Sequence, residues 1–410
     1  MQTIIDYLES EFAPFEEKPF NALDSLVLSS FCMVDLAHIA PPLREGKSFR
    51  DTNTLLQSIF PLNTKDITFR EVPHAEYFDT MFTSPTPDMT KRLMFALAAS
   101  PRFRAVTIGE YLSLLDTKNY TQFAAMRFIY KRQFAYIAFR GTDCTLTGWR
   151  EDFDMAFTDT IPSQIQSINY LETVTPRLPQ KLYIGGHSKG GNLAVYAALK
   201  AQPETKARIE RIYNHDGPGF KPGTFTDEAY DGIRDRIFKT VPQESLVGML
   251  MESHEDYRVI HSNGAGIMQH DPFTWEAAGD DFVYLDRITD NARFTSEVIN
   301  EWMGSLSPEE LRVMTDTLFA TLAQSEDASV ADIMGDWRKI LALVVDVAKQ
   351  ADDSTTGILS KAVQSLSNIA LKRFGEGVAS TMASPHIGAL LPRQLRPNPQ
   401  PGFKPESERP

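Results

Sequence analysis

Residues 181–199, which read KLYIGGHSKGGNLAVYAAL, decide the fold of this chain. The apolar, β-prone run Leu182–Ile184 leads into Gly-His-Ser-Lys-Gly at 186–190, and the helix-prone run Asn192–Leu199 follows. Gly-x-Ser-x-Gly between a strand and a helix is the pattern of a nucleophile elbow. The turn is so tight that its serine, Ser188, is predicted to have a strained backbone that lifts the hydroxyl clear of the sheet.

Ser188 is therefore the predicted nucleophile. Gly186 and Gly190 leave space where any Cβ would collide with the strand or with the helix packed against it. The start of the helix directs backbone N–H groups and a partial positive charge at the position of a developing oxyanion. The alternative is a tight strand–helix turn without catalysis, because Gly-x-Ser-x-Gly by itself also occurs by chance.

The chain between Phe134 and Trp275 alternates strand-like and helix-like segments, which predicts an α/β fold with a mostly parallel central sheet. The predicted strands are Phe134–Arg140, Lys181–Gly185, Arg211–Asn214, Arg236–Val241 and Tyr257–His261. The predicted helices are Gly191–Ala201, Asp227–Arg234 and Ser245–Glu252. Upstream, Phe20–Asp35 has the apolar spacing of an amphipathic helix that could cover the sheet, and residues 41–66 have the composition of a loop or mobile insertion.

The sequence changes character after about residue 287, where helical patterns occur without strands. Ser307-Pro-Glu-Glu310 has the N-cap serine, the first-position proline and the reaching glutamate of a helix start. Further helical runs are predicted over Ile333–Ala348 and Ile358–Phe374. The predicted domains are an α/β domain at 1–287 with its catalytic core at 134–287, a helical appendage at 288–384, and a Pro-rich, disordered tail at 385–410.

Composition limits the partners and the compartment. Of 410 residues, 42% are hydrophobic and 23% charged, and the net charge of −13 argues against nucleic acid as a partner. Cys32 and Cys144 give neither a disulfide framework nor a metal cluster, so no metal or other cofactor is predicted. The N-terminus lacks the features of a signal peptide, and no run of about 18 apolar residues predicts a membrane span. A cytoplasmic location is expected.

Chain order predicts the catalytic base. A serine nucleophile needs a base that an acid orients, and hydrolases with this elbow have the order Ser, acid, His. The order excludes His38, His74 and His187, which precede the nucleophile. His215 and His254 lie before the final predicted strand and His261 at its end, and His386 lies in the Pro-rich end. His270 follows the final strand, in GIMQHDPFTW at 266–275, where the base belongs. The alternative is a structural or solvated histidine.

Two carboxylates are candidates for the acid, and both follow predicted strands at the correct edge of the sheet. Asp216 lies in RIYNHDGPGF at 211–220, a turn fixed by Gly and Pro that can hold a carboxylate still against an imidazole. Glu244 follows the next strand and opens a predicted helix, where the helix dipole alone favours a carboxylate. Asp216 is the preferred acid and Glu244 the alternative.

The oxyanion hole is predicted at the end of the strand before the elbow. The segment YIAFRGTD, residues 136–143, is a strand that ends in a tight turn, where the second donor of such sites is usually built. Thr142 could supply its backbone N–H and its hydroxyl, and Lys189 supplies the other N–H. The side chain of Lys189 could simply point to solvent and is given no further role.

These motifs resemble two known families. The first is the class 3 lipase branch of the α/β-hydrolases, similar in FRGTD at 139–143, Trp149, EDF at 151–153 and Gly-His-Ser-x-Gly-Gly at the elbow. The stretch from Phe20 to Trp275 more closely resembles the bacterial Mbeg1-like family. The features that resemble it include DGPGF at 216–220, SLVGML at 245–250 and QHD at 269–271.

Two departures from the class 3 pattern bear on the site. Class 3 lipases carry Asp in the loop where this chain has Glu244-Ser245, so their acid does not carry over; the Asp216 turn resembles that of pancreatic-type lipases. Those lipases also usually have an apolar residue in place of Lys189, which argues against a purely apolar acyl pocket.

The motifs and the resemblance together predict a serine hydrolase with an α/β-hydrolase fold that cleaves carboxylic esters of lipids or small molecules. An acyltransferase with the same triad is the close alternative, and a non-catalytic hydrolase-fold binding protein is a third. The helical appendage could also join copies into a homo-oligomer. Apolar residues that could face an acyl group, although each could equally be core, are Phe31, Met33, Phe220, Met249, Leu250, Met268 and Phe273.

Overall fold

A nine-stranded sheet forms the centre of the protein. The computed structural model describes residues 2–44, 65–82, 84–323 and 353–382. The strands of this sheet are β1 Ile67–Thr68, β2 Val106–Asp116, β3 Thr121–Tyr130, β4 Phe134–Phe139, β5 Leu182–His187, β6 Ile209–His215, β7 Ile237–Pro242, β8 Tyr257–Ile260 and β11 Tyr284–Leu285. A separate antiparallel pair joins β9 Ala277–Ala278 to β10 Asp281–Phe282.

The sheet has an antiparallel part and a parallel part. Strands β1 to β4 pair antiparallel, β4 to β8 pair parallel, and β11 closes the far edge antiparallel to β8. The five predicted strands are β4 to β8, with ends moved by up to two residues. Because parallel strands end at the same edge, the residues that follow β5, β6 and β8 meet there. The fold is mixed α/β.

Helices cover both faces of the sheet. In the described part of the chain they are α1 Ile4–Ser10, α2 Ala22–Phe31, α3 Phe78–Met81, α4 Pro87–Ala99, α5 Leu146–Asp154, α6 Pro162–Val174, α7 Lys189–Lys200, α8 Pro203–Arg208, α9 Asp227–Tyr230, α10 Asp290–Gly304, α11 Pro308–Leu322 and α12 Asp353–Met382. None of them is long and apolar enough to cross a membrane.

Alternation along the parallel strands builds two cores. Successive side chains of a strand point to opposite faces, so neighbours in the chain belong to different layers. Tyrosines of β4, β5 and β6 join one cluster with α1, α2 and α4: Tyr136, Tyr183 and Tyr213. Isoleucines of the same strands join the other cluster with α6 and α7: Ile137, Ile184 and Ile212. The site edge is thus held between two packed layers.

Helix α2 differs from the amphipathic surface helix expected over Phe20–Asp35. All ten of its residues are buried, because α1 and α4 cover the side that the sheet leaves open. Three of its polar side chains, those of Asp24, Ser25 and Ser29, have buried hydrogen-bond partners. Asp24 pairs with Arg102 at 2.6 Å, and Ser29 shares a 2.7 Å hydrogen bond with the Tyr136 hydroxyl. The polar face of α2, which the sequence pattern predicts to be exposed to solvent, is therefore bonded to buried polar groups instead.

The predicted helix Ser245–Glu252 is wrong. Only a short 3₁₀ turn, Val247–Met249, forms there, and Met251 has a positive φ of 63°. Two main-chain groups of this segment bond to a side chain of α10 instead. Asn300 of α10 accepts from the Met251 N–H and donates to the Met249 carbonyl, each at 2.8 Å. The predicted helix Gly191–Ala201 corresponds to α7, and the predicted helix Asp227–Arg234 corresponds to the shorter α9.

The C-terminal helices pack beside the site edge. Ser307 caps α11 as predicted, with a reciprocal bond to Glu310. Helix α11 lies on α5, where Phe153 and Phe319 rings meet at 5.4 Å and Arg150 reaches Asp316 at 2.5 Å. The predicted segment Ile358–Phe374 lies within α12. Three other predicted segments fall wholly or largely outside the described residues. They are 41–66, of which residues 45–64 are not described, Ile333–Ala348, and the tail from 385.

Candidate active site

Ser188 lies at the junction of β5 and α7 in a strained conformation. Its backbone has φ 57° and ψ −132°, in a region that residues with a side chain rarely occupy. The flanking glycines are required by space. A Cβ on Gly186 would lie 2.3 Å from the carbonyl carbon of Gly190, and one on Gly190 would lie 2.1 Å from the carbonyl oxygen of Phe139. The chain can make this turn only with glycine at both positions.

Asp216 and His270 are hydrogen-bonded to each other. His270 donates from Nδ1 to Asp216 Oδ2 at 2.6 Å, and the carboxylate is fully buried while the imidazole is 23% exposed. Because Nδ1 carries the hydrogen, Nε2 is the nitrogen that can accept a proton. The two residues follow different strands, β6 and β8, and the common edge of the sheet brings them together.

The Asp216 carboxylate is fixed on its other side as well. Ser245, after β7, donates to Oδ1 at 2.5 Å, and the Gly248 N–H donates to the Ser245 hydroxyl at 3.2 Å. A Cβ on Gly248 would lie 2.2 Å from Oδ1, so the turn fits only glycine there. Asp216 itself has a positive φ of 53°. Sequence reasoning missed Ser245, whose inward direction depends on the turn that replaces the predicted helix.

Glu244, the alternative acid, is bonded to the loop that carries His270 rather than to the imidazole. Its Oε2 accepts from the Gly266 N–H at 3.0 Å and from Gln269 Nε2 at 3.2 Å, and its own N–H donates to Gln269 Oε1 at 2.9 Å. The carboxylate that reaches His270 is that of Asp216. The contacts of Glu244 are those of a residue that fastens a loop.

His187 also holds the His270 loop. Its Nε2 donates to the His270 carbonyl at 2.8 Å, and the two rings lie 4.6 Å apart between centroids. Burial, followed by the nearby charge of His270, holds the pKa of His187 well below its usual range, so the ring stays neutral. Trp275 adds a bond from Nε1 to the Gln269 carbonyl at 2.7 Å. His270 is thereby fixed beside the residue that precedes Ser188.

Two other histidines near the strand ends have different partners. His215, the last residue of β6, is buried between the hydroxyls of Ser25 and Thr240, and burial lowers its pKa to about 3. His261 pairs through Nδ1 with Glu276 at 2.6 Å. Neither shares the carboxylate of Asp216 in the described hydrogen bonds.

The turn after β4 passes directly against the elbow. A Cβ on Gly141 would lie 2.8 Å from the His187 carbonyl oxygen and 3.4 Å from the Cβ of Ser188. The Thr142 hydroxyl donates to Asp152 Oδ2 at 2.5 Å. Of the two donors that the sequence predicts at Thr142, the hydroxyl is therefore committed to a carboxylate, and the backbone N–H is the one without a partner among the described hydrogen bonds.

The side chain of Lys189 is buried, which corrects the expectation that it points to solvent. It is 1% exposed, and its ammonium donates to Gln122 Oε1 at 2.7 Å, to the Gln122 carbonyl at 3.1 Å and to Glu151 Oε2 at 3.0 Å. As the first residue of α7 it points back beneath the elbow toward β3 and α5. The EDF motif at 151–153 contains the partner Glu151, but nothing in its spacing along the chain indicates that it contacts Lys189.

This fold and this site define a class of protein. Its members are mixed α/β proteins with a strained serine at a strand–helix turn and a hydrogen-bonded histidine–carboxylate pair. The chain belongs to the Mbeg1-like family, whose model matches residues 97–320. No curated protein matches it. A solved structure that matches, the crystal structure of M37 lipase, is 16% identical with a TM-score of 0.29. The match covers 42% of this chain and 65% of that lipase.

Proposed function

We propose that the protein is a serine hydrolase of carboxylic esters with an α/β-hydrolase fold. The observation that carries this proposal is the 2.6 Å hydrogen bond from His270 to the buried Asp216, together with a serine held at φ 57° whose preceding residue, His187, bonds the His270 carbonyl at 2.8 Å. Residues of these types in this chain order, each after a different parallel strand, have the roles of nucleophile, acid and base. Strained backbone at such a position is typical of functional sites.

The mechanism follows from the hydrogen bonds. Ser188 attacks the acyl carbonyl while Nε2 of His270 takes its proton, and Asp216 stabilises the imidazolium that results. The backbone N–H groups of Lys189 and Thr142 are the donors for the oxyanion. His270 then returns the proton to the leaving alcohol, which gives an acyl-enzyme. Water, deprotonated by the same histidine, attacks the acyl-enzyme. The acid leaves as the histidine returns this proton to the oxygen of Ser188.

The surroundings of His270 favour a substrate with an apolar part. Met268 lies two residues from the base and is 56% exposed, so an apolar side chain is available at the surface beside the catalytic groups. Three other residues that the sequence offers as pocket wall, Phe31, Phe220 and Phe273, are buried in the cores. We therefore include Met268, and not these phenylalanines, in the acyl- or alcohol-binding surface.

Turnover of p-nitrophenyl esters of increasing chain length tests the proposal. Ser188→Ala should lower kcat/KM by about 10⁴-fold or more and leave the far-UV spectrum and melting temperature unchanged, because it removes one hydroxyl oxygen. Ser10→Ala, which alters an exposed serine of α1, is the matched control and should keep full activity. Equal turnover by the wild type and Ser188→Ala would contradict the assignment.

A further inference from the structure

A buried ammonium beneath the nucleophile is not used in the mechanism above. Lys189 contributes only its N–H to catalysis, yet its side chain has three hydrogen bonds within a site that is closed to solvent. Moving a charge out of water costs free energy that an ion pair often does not recover, and apolar residues of similar size are frequently as stable. Stability alone therefore gives a weak reason for lysine at this position.

The ammonium belongs to a group of four side chains, which we call the Lys189 cluster: Gln122, Glu151, Asp152 and Lys189. Glu151 is fully buried; its Oε2 also accepts from the Gln122 N–H at 3.0 Å, and its Oε1 accepts from the Ser163 N–H at 2.9 Å. Asp152 Oδ1 lies 3.7 Å from the ammonium. One cation thus faces two carboxylates, and burial raises the pKa of Asp152 to about 6 against the lowering effect of Lys189 and Thr142.

The cluster contacts the oxyanion turn at two points. Gln122 Nε2 donates to the Gly141 carbonyl at 3.5 Å, and the Thr142 hydroxyl donates to Asp152 at 2.5 Å. The ammonium of Lys189 bonds both Gln122 and Glu151 and faces Asp152. The same residue carries its own N–H at the start of α7. The N–H donors of Thr142 and Lys189 are therefore both linked to the buried ammonium of Lys189, the first through hydrogen bonds and the second through its own residue.

We infer that Lys189 is a positioning residue whose buried side chain sets the distance between the two N–H donors of the oxyanion hole. This inference rests on the proposed ester hydrolysis. The side chain acts through Gln122 and Asp152 on the turn, and through its own backbone on the first turn of α7. Donors aimed at an oxyanion contribute most when they are fixed before the reaction, and a displacement of about 1 Å can cost 10²-fold in rate.

The double variant Lys189→Met/Glu151→Gln tests the inference. It removes the ion pair without leaving Glu151 as an unpaired buried charge, which the single Lys189→Met would do. We expect kcat on a p-nitrophenyl ester to fall by about 10- to 100-fold with KM changed by less than about threefold. The affinity for a trifluoromethyl ketone, which forms an oxyanion on the serine, should fall by the same factor as kcat. Affinity for the product acid should not change.

A second buried Lys–Glu pair provides the matched control. Lys239 and Glu255 are 1% and 2% exposed, with Nζ and Oε1 3.5 Å apart, and Lys239 has its own bond to Ser253. Lys239→Met/Glu255→Gln removes the same charges, and its glutamine keeps an oxygen for the neighbouring Asn214. It should lower the melting temperature as the Lys189 pair does but keep kcat within about twofold, since the pair has no bond to the oxyanion turn.

Each result decides the question. Unchanged kcat and ketone affinity in a folded Lys189→Met/Glu151→Gln protein would overturn the inference, as would equal losses in the ketone and product affinities. If that protein does not fold, Gln122→Met, which changes no charge, takes its place, and wild-type kcat in this variant would overturn the inference. Ser188→Ala, assayed in parallel, separates the two proposals: if it is as active as the wild type, the proposed hydrolysis itself fails.

Discussion

The proposed catalytic site has two halves, an acid–base half and a nucleophile half, which are held by different means. The acid–base half, Asp216 and His270, depends on hydrogen bonds between loops that follow β6, β7 and β8, and its imidazole remains partly exposed. The nucleophile half, with Ser188 and Thr142, lies on a buried group of charges centred on Lys189. Loop-to-loop bonds allow one member to be replaced while the fold persists. In the Lys189 cluster, loss of one charge leaves a buried partner unpaired, so a single substitution there costs more stability.

The largest effect expected in the acid–base half is that of His270→Ala. Loss of the base should lower kcat/KM by about 10⁴-fold or more, since no other imidazole is bonded to Asp216 among the described residues. His261→Ala is the matched control, because His261 pairs with Glu276 and should keep most of the activity. Steady-state kinetics of the two purified variants make the comparison. A dead His261→Ala beside an active His270→Ala would reverse the assignment of the base.

The next effect separates the two candidate acids. Asp216→Asn keeps the shape of the side chain but cannot stabilise an imidazolium, so kcat should fall by about 10⁴-fold. Glu244→Gln disturbs only the bonds to Gly266 and Gln269, so it should keep most of its rate and lose about 1 kcal/mol of unfolding free energy. Kinetics and urea denaturation of both variants measure this. High activity in Asp216→Asn with a dead Glu244→Gln would exchange their roles.

The smallest effect concerns the response to acid of a buried group beside each half: His215, which precedes Asp216, and Asp152 of the Lys189 cluster. Burial lowers the folded-state pKa of His215 to about 3, so the stability that its neutral ring contributes is complete above about pH 6.5 and is lost as the pH falls toward 3. Burial raises the pKa of Asp152 to about 6, so its protonation favours the folded state as the pH falls from about 6 to 4. The titrations of His215 and Asp152 should therefore change the stability of the protein in opposite directions as the pH falls.

Urea denaturation between pH 6.5 and 4.5 measures these slopes. Wild type should lose roughly 1 kcal/mol per pH unit more than His215→Gln in this range. Relative to Asp152→Asn it should instead gain stability as the pH falls. Parallel curves for the wild type and His215→Gln would mean that His215 titrates normally in the folded protein.

The approach of Asp216 and His270 could be predicted from sequence because it depends on order along the chain. Parallel strands end at one edge, so a residue after β6 and another after β8 must approach each other. The elbow was predictable for a similar reason, since Gly186 and Gly190 are local requirements of one tight turn. These inferences need no knowledge of which distant side chains come together.

The nucleophile half was only partly predictable, because Lys189 is buried by segments far away in the chain. Its partner Gln122 lies at the start of β3, and β2 and β3 were missed as strands. Glu110 has a positive φ of 53° and the register shifts between Gly109 and Leu112, which breaks the alternation that identifies a strand. In the acid–base half, tertiary contacts replace the expected helix at Ser245–Glu252 with a turn, so the bond from Ser245 to Asp216 could not be predicted.

Peptide mapping after reaction with a fluorophosphonate tests most directly whether the two halves form one catalytic site. The reagent phosphonylates a serine only when a base activates it and an oxyanion hole receives the charge. We predict a single adduct on Ser188 in the wild type, formed about as fast in Glu244→Gln and strongly slowed in Asp216→Asn and His270→Ala. An unmodified Ser188, or equal labelling rates in all four proteins, would contradict the assignment of Ser188, His270 and Asp216 as a triad.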